Sequence, residues 1–360
     1  MLPGPGTTGT VLHPFATGAL AFAFPLSRAT EKKSGTAMAP LDYAPSFVSP
    51  VTVRSRPMRA VLLGCGTVGS ALRARLPQGV AIEAIAVSRW RDLGKGPVRV
   101  LDSLDAALDL APDLVIDALP GCAGAETALE RAVQAGAHIV SANKAVIARR
   151  PDLERAAKEK GRAFLYSAAV GGGVPVLETV SALNARGREI TTVKGVFNGT
   201  SNFVLDRLAK GEALDDAVRA AQAAGFAEAD PSADLDGDDA AAKLVLTARA
   251  AWGVDLDIEA IARQSITELA PGFAAKAARE GLRIRQVGRL ARSGGGVHAA
   301  VRLEAVGADS VFYRVEREGN GVVIALKDAP GVILTGKGAG GAPTAASMAG
   351  DIARLVAEHG

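Results

Sequence analysis

The segment Gly64-Cys65-Gly66-Thr67-Val68-Gly69 narrows the fold more than any other stretch of the chain. It follows a short apolar run, Arg59 to Leu63, and opens a segment, Thr67 to Leu76, with helical character; Ala81 to Val87 again reads as a strand. A G-x-G-x-x-G in that context predicts a βαβ unit. Its first glycine permits a tight turn, its second lets a ligand approach the backbone, and its third allows close packing of helix on strand. The helix start supplies positive potential and backbone amides without intrahelical acceptors, which suit a pyrophosphate. Gly64, Gly66, Thr67, Val68 and Gly69 are therefore the expected dinucleotide-binding residues. Asp113 to Leu119 and Ala137 to Ser141 continue the rhythm as buried strands around the helical run Ala125 to Ala135, which Gly136 terminates. Strands alternating with helices imply a parallel, doubly wound α/β sheet.

An NAD site carries an acidic residue about 20 positions beyond the glycines, where it holds the ribose 2′-hydroxyl. Here the second strand ends Val87-Ser88-Arg89, with no carboxylate. Ser88 and Arg89 suit a 2′-phosphate instead, so NADP is the expected cofactor and NAD the alternative.

After Tyr166 the pattern changes to a glycine cluster (Gly171, Gly172, Gly173), a helix, a strand at Thr191 to Phe197, and long helices to Gly253. Arg283 to Leu290, Val297 to Val306, Phe312 to Val315 and Val322 to Leu326 then alternate as strands of an open antiparallel sheet, and Thr344 to Ala357 closes the chain as a helix after the Gly336 to Gly341 loop. The expected division is a Rossmann domain over residues 58–167, rejoined by 330–360, and an α+β catalytic and dimerisation domain over 168–329. The open sheet leaves a face best buried against a second copy, so a homodimer is expected.

A length of 360 residues supports about two domains with full cores. The formal charge of +3 comes from 41 basic and 38 acidic residues mixed along the chain, with no basic block or aromatic-basic interleaving, so a nucleic-acid binder is not expected. Cys65 and Cys122 form no spaced framework, and His13, His138, His298 and His359 fit no triad or metal spacing. Residues 1–57 are rich in Pro, Gly, Ser and Thr and lack periodicity, which reads either as a disordered extension or as a chain whose working start is Met58. The apolar stretch Ala16 to Leu26 has no basic residue before it and is too short to span a bilayer, so neither export nor a membrane anchor is expected.

A dinucleotide motif does not name a reaction. The second half holds more specific segments: Ser141-Ala142-Asn143-Lys144, Val170-Gly171-Gly172-Gly173-Val174-Pro175, Gly195 through Asn202 with Asn198-Gly199-Thr200 at its centre, Gly225-Phe226-Ala227-Glu228-Ala229-Asp230-Pro231, Asp236 through Lys243, and Gly338 through Ala345. In content and order, over residues 59 to 358, these resemble the homoserine dehydrogenase family in a short form. The resemblance implies NAD(P)-dependent interconversion of L-aspartate 4-semialdehyde and L-homoserine, in threonine, methionine and isoleucine biosynthesis, by a cytoplasmic enzyme whose partners are a small-molecule substrate and a second copy rather than nucleic acid or membrane. It also implies that Lys243 donates the proton, that Asp239 orients it and contacts substrate, and that Lys144 lies beside nicotinamide and substrate. Glu228 takes the substrate's α-amino group near Gly225, Gly340 borders the cofactor, and the backbone carbonyls of Val170, Gly172 and Val174 hold a monovalent cation such as Na+. One position departs: the family commonly has Glu where this chain has Ser167. That loss weakens the cation reading, for which a tight turn between domains is the alternative. The chain ends at Gly360 without a regulatory extension, so threonine feedback through such a domain is not expected.

Read from the residues alone, Lys144 at the end of a sheet strand sits where α/β ligands bind. Asp239 and Lys243, spaced i, i+4, share a helix face with Leu246, Thr247 and Ala250, which fits an exposed ion pair as well as a catalytic one. Another NAD(P)-dependent dehydrogenase of an amino-acid pathway is the alternative enzyme, but a semialdehyde dehydrogenase needs a second-domain cysteine and none follows Cys122. A redox-sensing regulator would need a DNA-binding module, which the chain does not display.

Overall fold

Near-continuous apolar runs form the first sheet because both of its faces are covered. The structure is a computed structural model that describes residues 56–87, 98–121 and 123–359. The expectations for the first 55 residues, for Ser88 and Arg89, and for Cys122 fall outside the described residues. The first sheet comprises β1 (Met58–Leu63), β2 (Val80–Ala86), β3 (Arg99–Leu101), β4 (Leu114–Asp117), β5 (His138–Ser141) and β6 (Phe164–Leu165). Its order is β3-β2-β1-β4-β5-β6, and every pairing is parallel. Between the strands run α1 (Thr67–Arg73), α2 (Leu104–Leu108), α3 (Ala123–Gln134), α4 (Lys144–Arg149) and α5 (Pro151–Glu159). The strand order reverses between β1 and β4, which opens a crevice at the carboxyl ends of those strands. β3 and β6, of three and two residues, are too short to carry a period and were not foreseen.

The second half contains α6 (Val176–Ala185), β7 (Ile190–Val196), α7 (Gly199–Leu208), α8 (Leu214–Ala223), α9 (Ser232–Leu235), α10 (Asp238–Trp252), β8 (Ala262–Arg263), α11 (Phe273–Arg279), β9 (Arg283–Ser293), β10 (Gly296–Val306), β11 (Gly319–Leu326), β12 (Val332–Lys337) and α12 (Gly341–His359). The six strands order as β12-β11-β7-β9-β10-β8. All pair antiparallel except β8 with β10, so the sheet is mixed rather than purely antiparallel.

Two expectations are corrected here. Phe312 to Val315 is not a strand: Val311–Arg314 is a 3-10 turn whose start is capped by Ser310, with the Phe312 N–H donating to the Ser310 hydroxyl at 3.2 Å. Four alternating residues fit a strand or a single turn equally, and burial of Phe312 and Val315 against Val196 and Val287 selects the turn. The segment 330–360 also divides. β12 is the edge strand of the second sheet, whereas α12 packs on α1 and places Ala345, Met348 and Ile352 in one core cluster with Leu62 and Leu72.

A second apolar cluster joins the two halves. It runs from Val61 and Val115 through Val146 and Ile147 of α4 to Leu244 and Val245 of α10, and on to Val193 and Leu290 of the second sheet. α10 is thereby held against the carboxyl end of the parallel sheet.

Candidate active site

A cleft of about 1410 Å³ lies between the end of the parallel sheet and α10. Single small-molecule pockets span roughly 300 to 1,000 Å³, so this one has room for two ligands side by side. At one end the β1 loop shows a separate physical reason for each glycine. Gly64 has φ +89°, and a Cβ there would lie 2.8 Å from the Ala118 carbonyl oxygen. A Cβ on Gly69 would lie 2.3 Å from the Gly64 carbonyl oxygen, so only glycine lets α1 sit down on the loop. A Cβ on Gly66 would meet nothing within 4 Å, because Gly66 faces the cleft. Thr67 and Val68 line the cleft beside it, and across from them α12 begins at Gly341, where a Cβ would come within 2.5 Å of the Thr67 methyl. Gly340, at φ +113°, makes the turn into that helix and also lines the cleft.

The opposite end is built around α10. Gly237 starts this helix in the left-handed region (φ +85°), and Gly253 ends it likewise, with its N–H donating to the Arg249 carbonyl at 2.9 Å. Four residues apart on one face, Asp239 and Lys243 meet directly: Lys243 Nζ donates to Asp239 Oδ2 at 2.6 Å and to the Phe197 carbonyl at 2.6 Å. That carbonyl directly follows β7, where Gly195 leaves space for the Phe197 ring to fold back. Lys144, the first residue of α4 and half-exposed to the cleft, reaches the same carboxylate from the other sheet, with Nζ 3.2 Å from Asp239 Oδ1. Arg249, further along α10, donates to the Ile147 carbonyl at 3.1 Å, a second tie between α10 and α4.

The Asp239 carboxylate thus sits between two ammonium groups. Burial would raise its pKa, but Lys243, Lys144 and a hydrogen bond from Asn198 outweigh burial and hold the carboxyl well below the usual range. Lys243 is pushed down by burial and by Lys144, against the pull of Asp239. Lys144 is raised by Asp239, against burial.

Of the residues expected from sequence, Gly66, Thr67, Val68, Lys144, Gly172, Gly225, Glu228, Asp239, Lys243 and Gly340 all line this cleft, whereas Gly64 and Gly69 shape the same glycine loop without lining it. Glu228 is exposed in the loop after α8, and its charge reaches Lys144. Gly225 terminates α8 at φ +75°. Val170 and Val174 are buried behind the cleft wall rather than on it. Gly172, at φ +58°, leaves no space for a Cβ, which would lie 2.4 Å from the Gly338 carbonyl oxygen. Ser167 turns away from this loop, and its N–H and hydroxyl both donate to Asp351 of α12 at 2.8 Å.

Sequence reasoning missed two residues. Asn198 accepts from the Ser201 N–H at the start of α7 and donates to Asp239 at 2.9 Å and to Asp234 at 2.5 Å. Asp234, whose carboxyl is raised by burial, also lines the cleft. The signals were present, in the Asn-Gly-Thr segment and in the acid-rich stretch Asp230 to Asp239, but nothing local says which of those acids points inward.

Two family models match the chain in succession: residues 64–167 match the NAD-binding domain of homoserine dehydrogenase, and residues 175–353 match homoserine dehydrogenase itself. The chain is 31% identical over 318 residues to a homoserine dehydrogenase of Pseudomonas aeruginosa, which covers 84% of this chain and 73% of that one. It is 33% identical over 317 residues to that of Synechocystis sp., covering 82% and 72%.

The chain belongs to the homoserine dehydrogenase family.

The crystal structure of a homoserine dehydrogenase from Thiobacillus denitrificans agrees in fold, with a TM-score of 0.79 at 29% identity over 84% of this chain and 74% of that one. As a homoserine dehydrogenase the chain is an NAD(P)-dependent oxidoreductase that interconverts L-aspartate 4-semialdehyde and L-homoserine, and its parallel sheet carries the nicotinamide-cofactor domain. Among the described residues no helix is long and apolar enough to cross a membrane.

Proposed function

We propose that Lys243 is the proton donor for aldehyde reduction in this homoserine dehydrogenase, with Asp239 as its orienting carboxylate and Lys144 beside the nicotinamide and the reacting carbon. The observation that carries this reading is the placement of one buried carboxylate between two lysines, on a cleft that also holds the glycine loop. The cofactor, when bound at Gly64 to Gly69, supplies or accepts the hydride. An ammonium has three donors; Phe197 and Asp239 engage two on Lys243, which leaves the third for substrate oxygen. Its lowered pKa eases release of the proton to the developing alkoxide, and in the oxidation of homoserine the neutral amine takes the hydroxyl proton back. Lys144, kept charged by Asp239, stabilises negative charge on the same oxygen. Glu228, exposed to the cleft beside Gly225, is assigned the substrate's α-amino group.

Finer properties belong to the same reading. NADP is the preferred cofactor, on the grounds of Ser88 and Arg89. A monovalent cation such as Na+ is assigned to the carbonyls of Val170, Gly172 and Val174. That turn offers backbone carbonyl oxygens, hard donors that suit a hard cation rather than one that seeks thiolate or imidazole. The Val174 carbonyl also accepts from the Val176 N–H at 2.8 Å.

Homoserine oxidation, followed at the absorbance of the reduced nicotinamide, tests the central assignment. Lys243→Ala lowers kcat by roughly 10²- to 10⁴-fold and leaves NADP affinity nearly intact, as removal of a general acid does. A folded Lys243→Ala enzyme at wild-type rate would move the proton donor elsewhere.

A further inference from the structure

We propose that Asp117, at the carboxyl end of β4, is a positioning residue for the reaction: it closes a ring of hydrogen bonds that sets Lys144 against the cleft floor. The proposal rests on the placement of Lys144 in the active site. Asp117 is fully buried and lines no part of the cleft, yet its two oxygens serve the two loops that do. Oδ1 accepts from the Leu119 N–H at 2.9 Å, which fixes the loop Leu119, Pro120 and Gly121 on the cleft wall. Oδ2 accepts from the Ser141 hydroxyl at 2.8 Å, and the Ser141 oxygen in turn accepts from the Asn143 N–H at 3.0 Å. Asn143 then acts in two directions. Its Oδ1 accepts from the Val146 N–H at 3.4 Å and caps α4, while its Nδ2 donates to the Pro120 carbonyl at 3.4 Å and returns the ring to the first loop. Lys144 is the first residue of the helix so capped, and its N–H donates to the Ala142 carbonyl at 3.1 Å. Two hydrogen bonds, Asp117 to Ser141 and Ser141 to Asn143, thus lead from Asp117 to the residue whose peptide bond carries Lys144.

The composition of the ring argues against a purely structural part. Burial pushes the Asp117 carboxyl up to about 6, and the groups that oppose that push, the Leu119 N–H, Ser141 and Asn143, are neutral. A carboxylate enclosed without a cation is a costly way to join two loops. Its distinguishing property is that it accepts from both at once, with charge-assisted bonds shorter and stronger than those to an amide. Lys144 reaches Asp239 across the gap between the two sheets, so a small shift in the start of α4 changes that distance directly.

The test is a double-mutant cycle on homoserine oxidation with Asp117→Asn, Ser141→Ala, Ser141→Thr, Lys144→Ala and the pair Asp117→Asn/Lys144→Ala. Asp117→Asn and Ser141→Ala are expected to lower kcat/KM by roughly 10- to 100-fold, the cost of a reacting group displaced by about an ångström. Ser141→Thr keeps the hydroxyl and stays within about twofold of wild type, and the paired variant is no worse than Lys144→Ala alone, because Asp117 acts through that lysine. Asp117→Asn at wild-type rate while Lys144→Ala is impaired overturns this proposal alone, as does a paired loss equal to the product of the single losses. Lys144→Ala at wild-type rate overturns the assignment of Lys144 and this proposal with it. Should Asp117→Asn fail to fold, the contrast between Ser141→Ala and Ser141→Thr carries the same decision.

Discussion

Asp239 shares one carboxylate between two ammonium groups, and the pH behaviour of the enzyme follows from that sharing. Burial and Lys144 depress the Lys243 pKa, and Asp239 is the chief group raising it. Asp239→Asn removes the raising charge and leaves the burial, so Lys243 gives up its proton at lower pH than in wild type. Aldehyde reduction needs protonated Lys243; its alkaline limb in a kcat profile therefore moves to lower pH in Asp239→Asn, with a reduced plateau. A limb that stays in place or moves upward would separate Lys243 from that titration. The i, i+4 spacing of Asp239 and Lys243 was plain in the sequence, but the spacing is shared with ordinary exposed pairs. Burial of both groups, and the arrival of Lys144 from the other sheet, depends on contacts nearly a hundred residues apart in the chain. Asn198 and Asp234 were hidden for the same reason.

Among the elements, the turn from β1 into α1 is where motif and structure agree most closely, and the structure assigns its glycines different work. Gly69 has the Gly64 carbonyl where a methyl would go, whereas Gly66 has only the open cleft. Gly69→Ala must push α1 off β1 and is expected to lose about 1 to 3 kcal/mol of stability, as overpacked sites do, with weaker NADP binding as a consequence. Gly66→Ala sits in extended backbone and keeps the wild-type melting temperature, yet places a methyl where the pyrophosphate approaches, so NADP affinity falls by at least about tenfold. Calorimetry paired with NADP titration separates the two. Equal stability losses, or undiminished affinity in Gly66→Ala, would contradict this division of labour.

For the whole molecule, the second sheet keeps one face only partly covered. Thr192 and Lys194 of β7, Arg289 and Ala291 of β9, and His298 and Ala300 of β10 border a shallow groove of about 230 Å³ on it. Phe273 is the only large apolar side chain classed as exposed among the described residues, and it lies on α11 and does not border this groove. A homodimer through the sheet face would therefore be joined by a mixed polar and small-residue surface. Light scattering at micromolar concentration is expected to give twice the 36.7 kDa of one chain, with sensitivity to Arg289→Glu; a monomer mass would place that face in solvent.

Local patterns were enough for the four longer strands of the parallel sheet, the glycine loop and the helix that carries Asp239 and Lys243, because each is set by spacing within a dozen residues and, at Gly64, Gly237 and Gly253, by a positive φ that other residues rarely adopt. Tertiary structure alone decided that β12 joins the second sheet while α12 returns to the first, that Val311–Arg314 is a turn, and that Asp117, a carboxylate at the end of the apolar strand β4, anchors the Lys144 loop. Each of these depends on which distant groups supply hydrogen bonds and apolar cover, and such partners leave no period in the sequence.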